Sequence, residues 1–298
     1  MTQIQELVIN FHMTEACNYR CGYCYATWEN NCSSTELHHS EVKTKQLLKD
    51  LASYFLFDNP LRQQLNYRSV RINFAGGEPL MLGRRFVNAL LYAKQLGFNT
   101  SVITNGHLLT ASLMLKIAPH LNMLGLSFDT ADSLLALNIG RTDRKGDWLS
   151  PEDLLEIALT YRTLNPNGRF KINTVVNAYN WREDLVEIMQ QLEPDKWKLL
   201  RVLPVHEHNL TITSEQYRSY VERHSILSHF IVEEDNDAMW QSYLMVNPGG
   251  CFYQNSSEGK GHSHSKPILD VGVGHAFAEI DFNLNAFVGR YPLTTNVA

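Results

Sequence analysis

The chain has 298 residues, a formal net charge of −5, 44% hydrophobic residues and 19% charged residues. That length holds one large domain or two small ones, and ample apolar content with a small net charge excludes a disordered chain. With 26 Lys and Arg against 31 Asp and Glu, a basic nucleic-acid binder is excluded too, so an anionic ligand needs a local cluster of cations.

Short β-branched runs alternate with helical patterns through the first two thirds. Residues 7–11 read as a strand, and 40–56 as a helix with Val42, Leu47, Leu48, Leu51 and Tyr54 near helical spacing. Strand 70–74, helix 85–96, strand 100–104, a helix near 110–119 and strand 123–128 follow. Ser150-Pro151-Glu152 opens the next helix, with Ser at the cap and Pro in the first turn. Strand 170–176, a helix over about 181–192 and strand 197–203 complete six β/α repeats. Such alternation predicts a parallel sheet wrapped by helices. An open doubly wound sheet and a partial barrel both fit, and periodicity does not choose. Beyond about residue 205 the alternation stops; a helix is expected near 214–224, and the Ser-, Gly- and His-rich stretch 254–265 reads as a loop. No apolar run is long enough to span a membrane. The N-terminus lacks a charged-then-apolar leader, so cytoplasm is the expected compartment.

Five cysteines are too few for a disulfide scaffold. Three of them, Cys17, Cys21 and Cys24, form a C-x3-C-x2-C run directly after the first strand, where barrel enzymes hold their chemistry. Three thiolates can ligate three irons of a cubane [4Fe–4S] cluster and leave the fourth iron open. A structural zinc site is the alternative, with Cys32, His38 or His39 as further ligand, although closed zinc sites usually pair their ligands as two short couples. Cys32 and Cys251 read as bystanders. His206 and His208 read as part of a polar loop, and His262 and His264 as weaker ligand candidates still.

The cysteine spacing resembles that of the radical S-adenosylmethionine superfamily. Further motifs agree: Asn73-Phe74-Ala75-Gly76-Gly77-Glu78-Pro79, Thr104-Asn105-Gly106, Ser127 and Asp129, and Ile139-Gly140-Arg141. The resemblance implies that Cys17, Cys21 and Cys24 hold the cluster. It places Gly76, Gly77, Glu78, Asn105, Ser127, Asp129 and Arg141 in a pocket for S-adenosylmethionine. Two glycines allow close backbone approach, and Glu78 can pair with an ammonium.

Longer stretches, among them FHMTEACNYRCGYCY, RINFAGGEPL, FKINTVVNAYNWRED, KWKLLRVLPV and SKPILDVGV, resemble the viperin family in its prokaryotic form. The most specific are the N-x-x-N-x-x-E-D run after FKIN and the late ILDVGV. The amphipathic N-terminal helix of animal members has no counterpart, which removes the case for membrane attachment. The resemblance implies an α/β fold, a partial (β/α)6 barrel over residues 1–205. A C-terminal extension over 206–298 would close the substrate pocket within one compact unit. It implies dehydration of a ribonucleoside triphosphate to its 3′-deoxy-3′,4′-didehydro analogue, an antiviral RNA chain terminator. A 5′-deoxyadenosyl radical takes the ribose 4′ hydrogen, and the 3′ hydroxyl leaves as water with one further electron and a proton. Substrate contacts carry over to Asn10, Arg71, Lys171, Lys196 and Lys198, and more weakly to Lys266. Several family members have Lys at position 71 and Arg at 196, which keeps charge but not geometry. Tyr253 is a candidate proton or hydrogen donor. An electron donor such as a flavodoxin or ferredoxin is implied, and neither nucleic acid nor membrane as partner. Two alternatives stay open. One is another radical enzyme of the superfamily, modifying a peptide or a cofactor precursor. The other is a non-enzymatic iron–sulfur or zinc protein.

Overall fold

The computed structural model describes residues 4–24, 35–204, 209–255 and 261–290. Cys32, His206 and His208 lie outside them.

The six expected strands form as β1 (Glu6–His12), β2 (Ser69–Ala75), β3 (Asn99–Thr104), β4 (Met123–Ser127), β5 (Arg169–Val176) and β6 (Lys196–Arg201), all parallel. Between them run α1 (Glu41–Phe55), α2 (Pro60–Leu65), α3 (Arg84–Gln95), α4 (Ala111–Ile117), α5 (Ser133–Ile139), α6 (Pro151–Leu164) and α7 (Val186–Leu192). Ser150 caps α6 through the Asp153 amide and Asp153 returns the bond, with Pro151 in the first turn, a cap of about 1 kcal/mol. The helix expected over 181–192 begins only at Val186, because Asn180 and Glu183 spend their side chains on a neighbouring turn.

The chain after residue 205 forms the helix expected near 214–224 but otherwise departs from expectation. It supplies α8 (Ser214–Arg223), β7 (Ile231–Glu234), α9 (Asn236–Met239), β8 (Leu244–Val246), β9 (Cys251–Asn255) and β10 (His262–Pro267). Helices α10 (Ile268–Val271), α11 (Val273–Ala278) and α12 (Leu284–Gly289) follow. One ten-stranded sheet results, in the order β10-β9-β8-β1-β2-β3-β4-β5-β6-β7. The extension therefore adds strands to both edges of the barrel sheet: β7 pairs parallel with β6, β8 parallel with β1, and β9 and β10 follow antiparallel. The expected loop over 254–265 is thus a hairpin at its two described ends: Asn255 pairs with His262 and Tyr253 with His264. Its Ser, Gly and His composition hid strands whose order comes from an edge to pair with.

Strand alternation sorts the two faces of the sheet. Leu7, Ile9 and Phe11 of β1, Val70, Ile72 and Phe74 of β2, and Phe170 and Ile172 of β5 are buried in the core that the helices cover. The alternate residues Val8 and Asn10, Arg71 and Asn73, Lys171, and Lys196 and Lys198 line a cavity on the other face. The sheet is open, so the expected partial barrel stands.

Candidate active site

Two zones lie on this sheet: the turns beyond the strands' C-terminal ends, and the cavity on the face below. In the first zone, the chain leaves β1 and enters the cysteine loop. Gly77 N–H donates to the Thr14 carbonyl at 2.7 Å and Glu78 N–H to the Ala16 carbonyl at 2.8 Å, fastening the turn after β2 to that loop. A Cβ at Gly77 would stand 2.3 Å from the Ala16 oxygen, so only glycine permits this approach. On the far side, Arg20 and Gly22 N–H groups donate to the carbonyls of Gly140 and Ile139.

The thiols of Cys17, Cys21 and Cys24 are close enough to repel one another electrostatically once ionised. Burial pushes Cys17 up to about 11 and Cys21 up to about 12, with neighbouring Glu78 adding to the first and Asp129 to the second. Free thiolates are therefore disfavoured here. A cationic metal reverses that preference, since a coordinating thiol is deprotonated outright. Three convergent sulfurs, with Cys24 exposed and Cys17 and Cys21 half-buried, suit a cluster that keeps one iron free of protein. Of the further ligands the zinc alternative offers, His38 is engaged elsewhere: its Nε2 lies 2.6 Å from Glu36, which also accepts from the Thr14 hydroxyl and the Glu15 amide. Among the described residues, the side chains near enough to one another to share a metal ion are Glu36, His38 and His39, a group with no cysteine in it.

Asp129, which is 1% exposed, takes the Tyr23 hydroxyl and stands 3.6 Å from Arg141 Nε. Arg141 also donates to the Ser127 carbonyl, approaches the Cys21 sulfur at 3.9 Å and covers the Tyr19 ring at 5.5 Å. Asn105 donates to the Asn18 side chain at 2.8 Å and lies 3.9 Å from the Cys17 sulfur. The expected cofactor residues are thus brought together around the three thiols. Glu78 is a correction. Its fully buried carboxylate accepts from Leu80 N–H, the Thr104 hydroxyl and Asn105 N–H. It braces two turns, and its side chain is committed to protein donors rather than held out for an ammonium.

In the second zone, Asn10, Arg71, Lys171, Lys196 and Lys198 all line one cavity. Lys196 and Lys198, two residues apart on β6, share a face. Arg71 is paired with Glu6 at 2.6 Å. Lys171 and Lys196 have no ion pair among the described residues. Burial, then the Lys198 and Arg71 charges, hold Lys171 well below the usual lysine range, against Glu234. Lys266 is a second correction: its side chain is 70% exposed, lies on β10 and faces Glu279 at 3.5 Å. Its strand reaches the sheet at the far edge, outside the cavity.

The extension adds residues that the sequence reading missed. Glu234 at the end of β7 binds Lys198, accepts the Tyr243 hydroxyl and holds Arg290 at 3.2 Å. Burial opposes its charge, but Lys198 and Arg290 hold its carboxyl down at about 2. Arg290 lies over the Tyr243 ring at 3.5 Å. Glu234, Tyr243 and Arg290 all line the cavity. The signal that could have found them is the Tyr and Arg flanking a segment otherwise read as a tail. Tyr253 is fully buried beside His12 and His262 and is not among the cavity residues. A larger cavity of about 670 Å³ lies between α4 and α6, but it carries no thiol, lysine or arginine.

Residues 11–192 match the Radical SAM superfamily. An S-adenosylmethionine-dependent nucleotide dehydratase of Pseudoalteromonas ulvae is 63% identical over 98% of this chain and 94% of that protein. One from Psychrobacter lutiphocae is 38% identical over 96% of this chain and 95% of that protein. Among solved structures, native anSMEcpe with bound AdoMet superposes with a TM-score of 0.65 over 98% of this chain and 84% of that one. At 16% identity, that likeness concerns the fold. No helix among the described residues is long and apolar enough to cross a membrane.

Proposed function

The chain belongs to the radical S-adenosylmethionine superfamily, and from that premise we propose that it dehydrates a ribonucleoside triphosphate to the 3′-deoxy-3′,4′-didehydro analogue. The observation that carries this reading is the cavity itself. Arg71, Lys171, Lys196, Lys198 and Arg290 converge there, with Glu234 the one carboxylate lining it among the described residues. Two of the five have no counter-ion among the described residues, which is how a pocket for a polyanion looks when only protein fills it. The curated relatives are named for nucleotide dehydration, and the chain covers nearly all of their length.

Members of the superfamily use a [4Fe–4S] cluster and S-adenosylmethionine. Cys17, Cys21 and Cys24 would hold the cluster. Gly76, Gly77, Asn105, Ser127, Asp129 and Arg141 would surround the second cofactor, with Glu78 fixing the turns that approach it. When bound, the reduced pair supplies the 5′-deoxyadenosyl radical that removes the ribose 4′ hydrogen. The protein's own part is to bind, orient and exclude water. Lys171, Lys196, Lys198 and Arg71 take the phosphates, and Asn10 is placed beside them. Loss of the 3′ hydroxyl as water needs a proton and a further electron. The candidate donors are Tyr243, which lines the cavity with its hydroxyl facing Lys198 and Glu234, and Tyr253, which is one strand further out and outside the cavity lining. The extension over 206–298 closes the pocket in this reading, through Glu234, Tyr243 and Arg290. The product lacks a 3′ hydroxyl and would terminate viral RNA chains. A cytoplasmic flavodoxin or ferredoxin would supply electrons.

The test is anaerobic reconstitution with iron and sulfide, then addition of reductant, S-adenosylmethionine and CTP, UTP, GTP or ATP separately. Mass spectrometry should find 5′-deoxyadenosine rising in step with loss of one water from one nucleotide. Cofactor cleavage with no nucleotide changed would leave the superfamily and overturn the substrate.

A further inference from the structure

The segment Asn177–Glu183 lines neither cavity, yet two of its side chains, those of Asn180 and Glu183, bond the turn after β4. Asn180 Nδ2 donates to the carbonyls of Asp129 at 2.8 Å and Val175 at 3.0 Å, while its Oδ1 accepts from Asn177 N–H at 2.8 Å. Glu183 Oε1 accepts from the Thr130 hydroxyl at 2.9 Å and Ala131 N–H at 2.7 Å. Val175 N–H donates to Asp129 Oδ1 at 2.9 Å. The other oxygen of Asp129 is the one that takes Tyr23 and faces Arg141. Hydrogen bonds and the backbone of residues 129–131 together thus link Glu183 and Asn180 to Tyr23 of the cysteine loop.

We infer that Glu183 and Asn180 are positioning residues, which act through Asp129 to hold Arg141 and Tyr23 of the cysteine loop in place. This rests on the reading that S-adenosylmethionine binds at that end. The physical case is geometric: a turn after a strand has few backbone partners of its own, and two side chains supply acceptors and donors for it. Glu183 also keeps one carboxyl oxygen, Oε2, buried without a partner among the described residues, as is the Tyr220 hydroxyl. Burial lifts the Glu183 carboxyl to about 7, against the Ala131 amide and Thr130 hydroxyl, with Asp132 and Asp129 adding to the rise. Tyr220 and Arg223 of α8 face it from the other side, Arg223 through the Glu183 carbonyl at 3.3 Å. Asp184 adjoins it in the chain. An ionised acceptor binds both donors more strongly, so the clamp tightens as pH rises through 7.

The experiment compares the full chain with E183Q and E183A. In cluster-free protein, hydrogen exchange should rise in E183A across residues 128–141 and extend to 19–24, and stay near the parent in E183Q, whose amide oxygen keeps the clamp. In reconstituted enzyme, E183A should raise KM for S-adenosylmethionine about tenfold, with nucleotide KM changed less than about twofold. KM for S-adenosylmethionine should fall from about pH 6 to pH 8 in the parent and stay flat in E183Q. Faster exchange confined to 177–185, an equal rise in both KM values, or an unchanged pH profile in E183Q each overturn the inference. Absence of any S-adenosylmethionine cleavage by the parent overturns the cofactor reading instead, and the exchange pattern still decides the clamp.

Discussion

The cofactor end and the cavity below it are both rich in charge, but they balance it differently. Around the thiols, Asp129 meets Arg141 and Tyr23, and Glu78 meets three donors. Each buried ion there has its partner before any ligand arrives. In the cavity, Lys171 and Lys196 face other cations, and Glu234 is shared between Lys198 and Arg290. The first zone is organised by the protein for itself; the second is strained by its own charge and relieved by an anion. Evidence of function in a fold of this kind is therefore better sought in unbalanced charge than in the number of charged residues.

The largest effect should come from the cysteines. Replacing Cys17, Cys21 or Cys24 by Ala should abolish both the visible absorbance of the reconstituted cluster and 5′-deoxyadenosine formation. Retention of absorbance and turnover in any one variant would remove that residue from the ligand set.

Asp129→Asn tests the balanced zone. It leaves Arg141 buried without its carboxylate, at a cost of about 3–5 kcal/mol. A clear drop in thermal midpoint and loss of S-adenosylmethionine cleavage are expected; a midpoint within a degree of the parent would show that the pair contributes little.

Lys171→Met probes the unbalanced zone and should behave in the opposite way. Burial lowers the Lys171 pKa on folding, so the unfolded chain binds its proton more readily. Stability from this group is therefore lost as pH falls below the unfolded lysine value of about 10.4. The variant should melt higher than the parent without nucleotide, with a gap that widens from pH 10 towards pH 7, yet nucleotide KM should rise about 10- to 100-fold. Destabilisation by Lys171→Met would mean that the lysine has a partner and that the contrast between the zones is wrong.

Tyr243→Phe against Tyr253→Phe separates the two candidate donors. Only the tyrosine that supplies hydrogen should uncouple 5′-deoxyadenosine formation from loss of water. Salt gives the smallest effect: nucleotide KM should rise about two- to threefold from 50 to 300 mM, while that for S-adenosylmethionine stays nearly level, because unpaired cations steer anions through a screened field.

The local sequence determined a good deal. Six β/α repeats were legible because short apolar, β-branched runs alternate with helical patterns along the chain. The three cysteines, the Gly76-Gly77 approach and the shared face of Lys196 and Lys198 were legible because those effects act within a few residues. What the tertiary structure decided lies beyond that range. The strands β7 to β10 carry weak patterns, since their order comes from pairing with an edge far along the chain. Glu234, Tyr243 and Arg290 meet Lys198 only once those strands are in place, and Lys266 misses the cavity for the same reason. The same holds for Glu78: its residue type announced a carboxylate near a cofactor, and only its three buried donors showed that it braces turns. Short-range periodicity names the elements, but partners of a buried charge come from elsewhere in the chain, and only the packed fold brings them within hydrogen-bond reach.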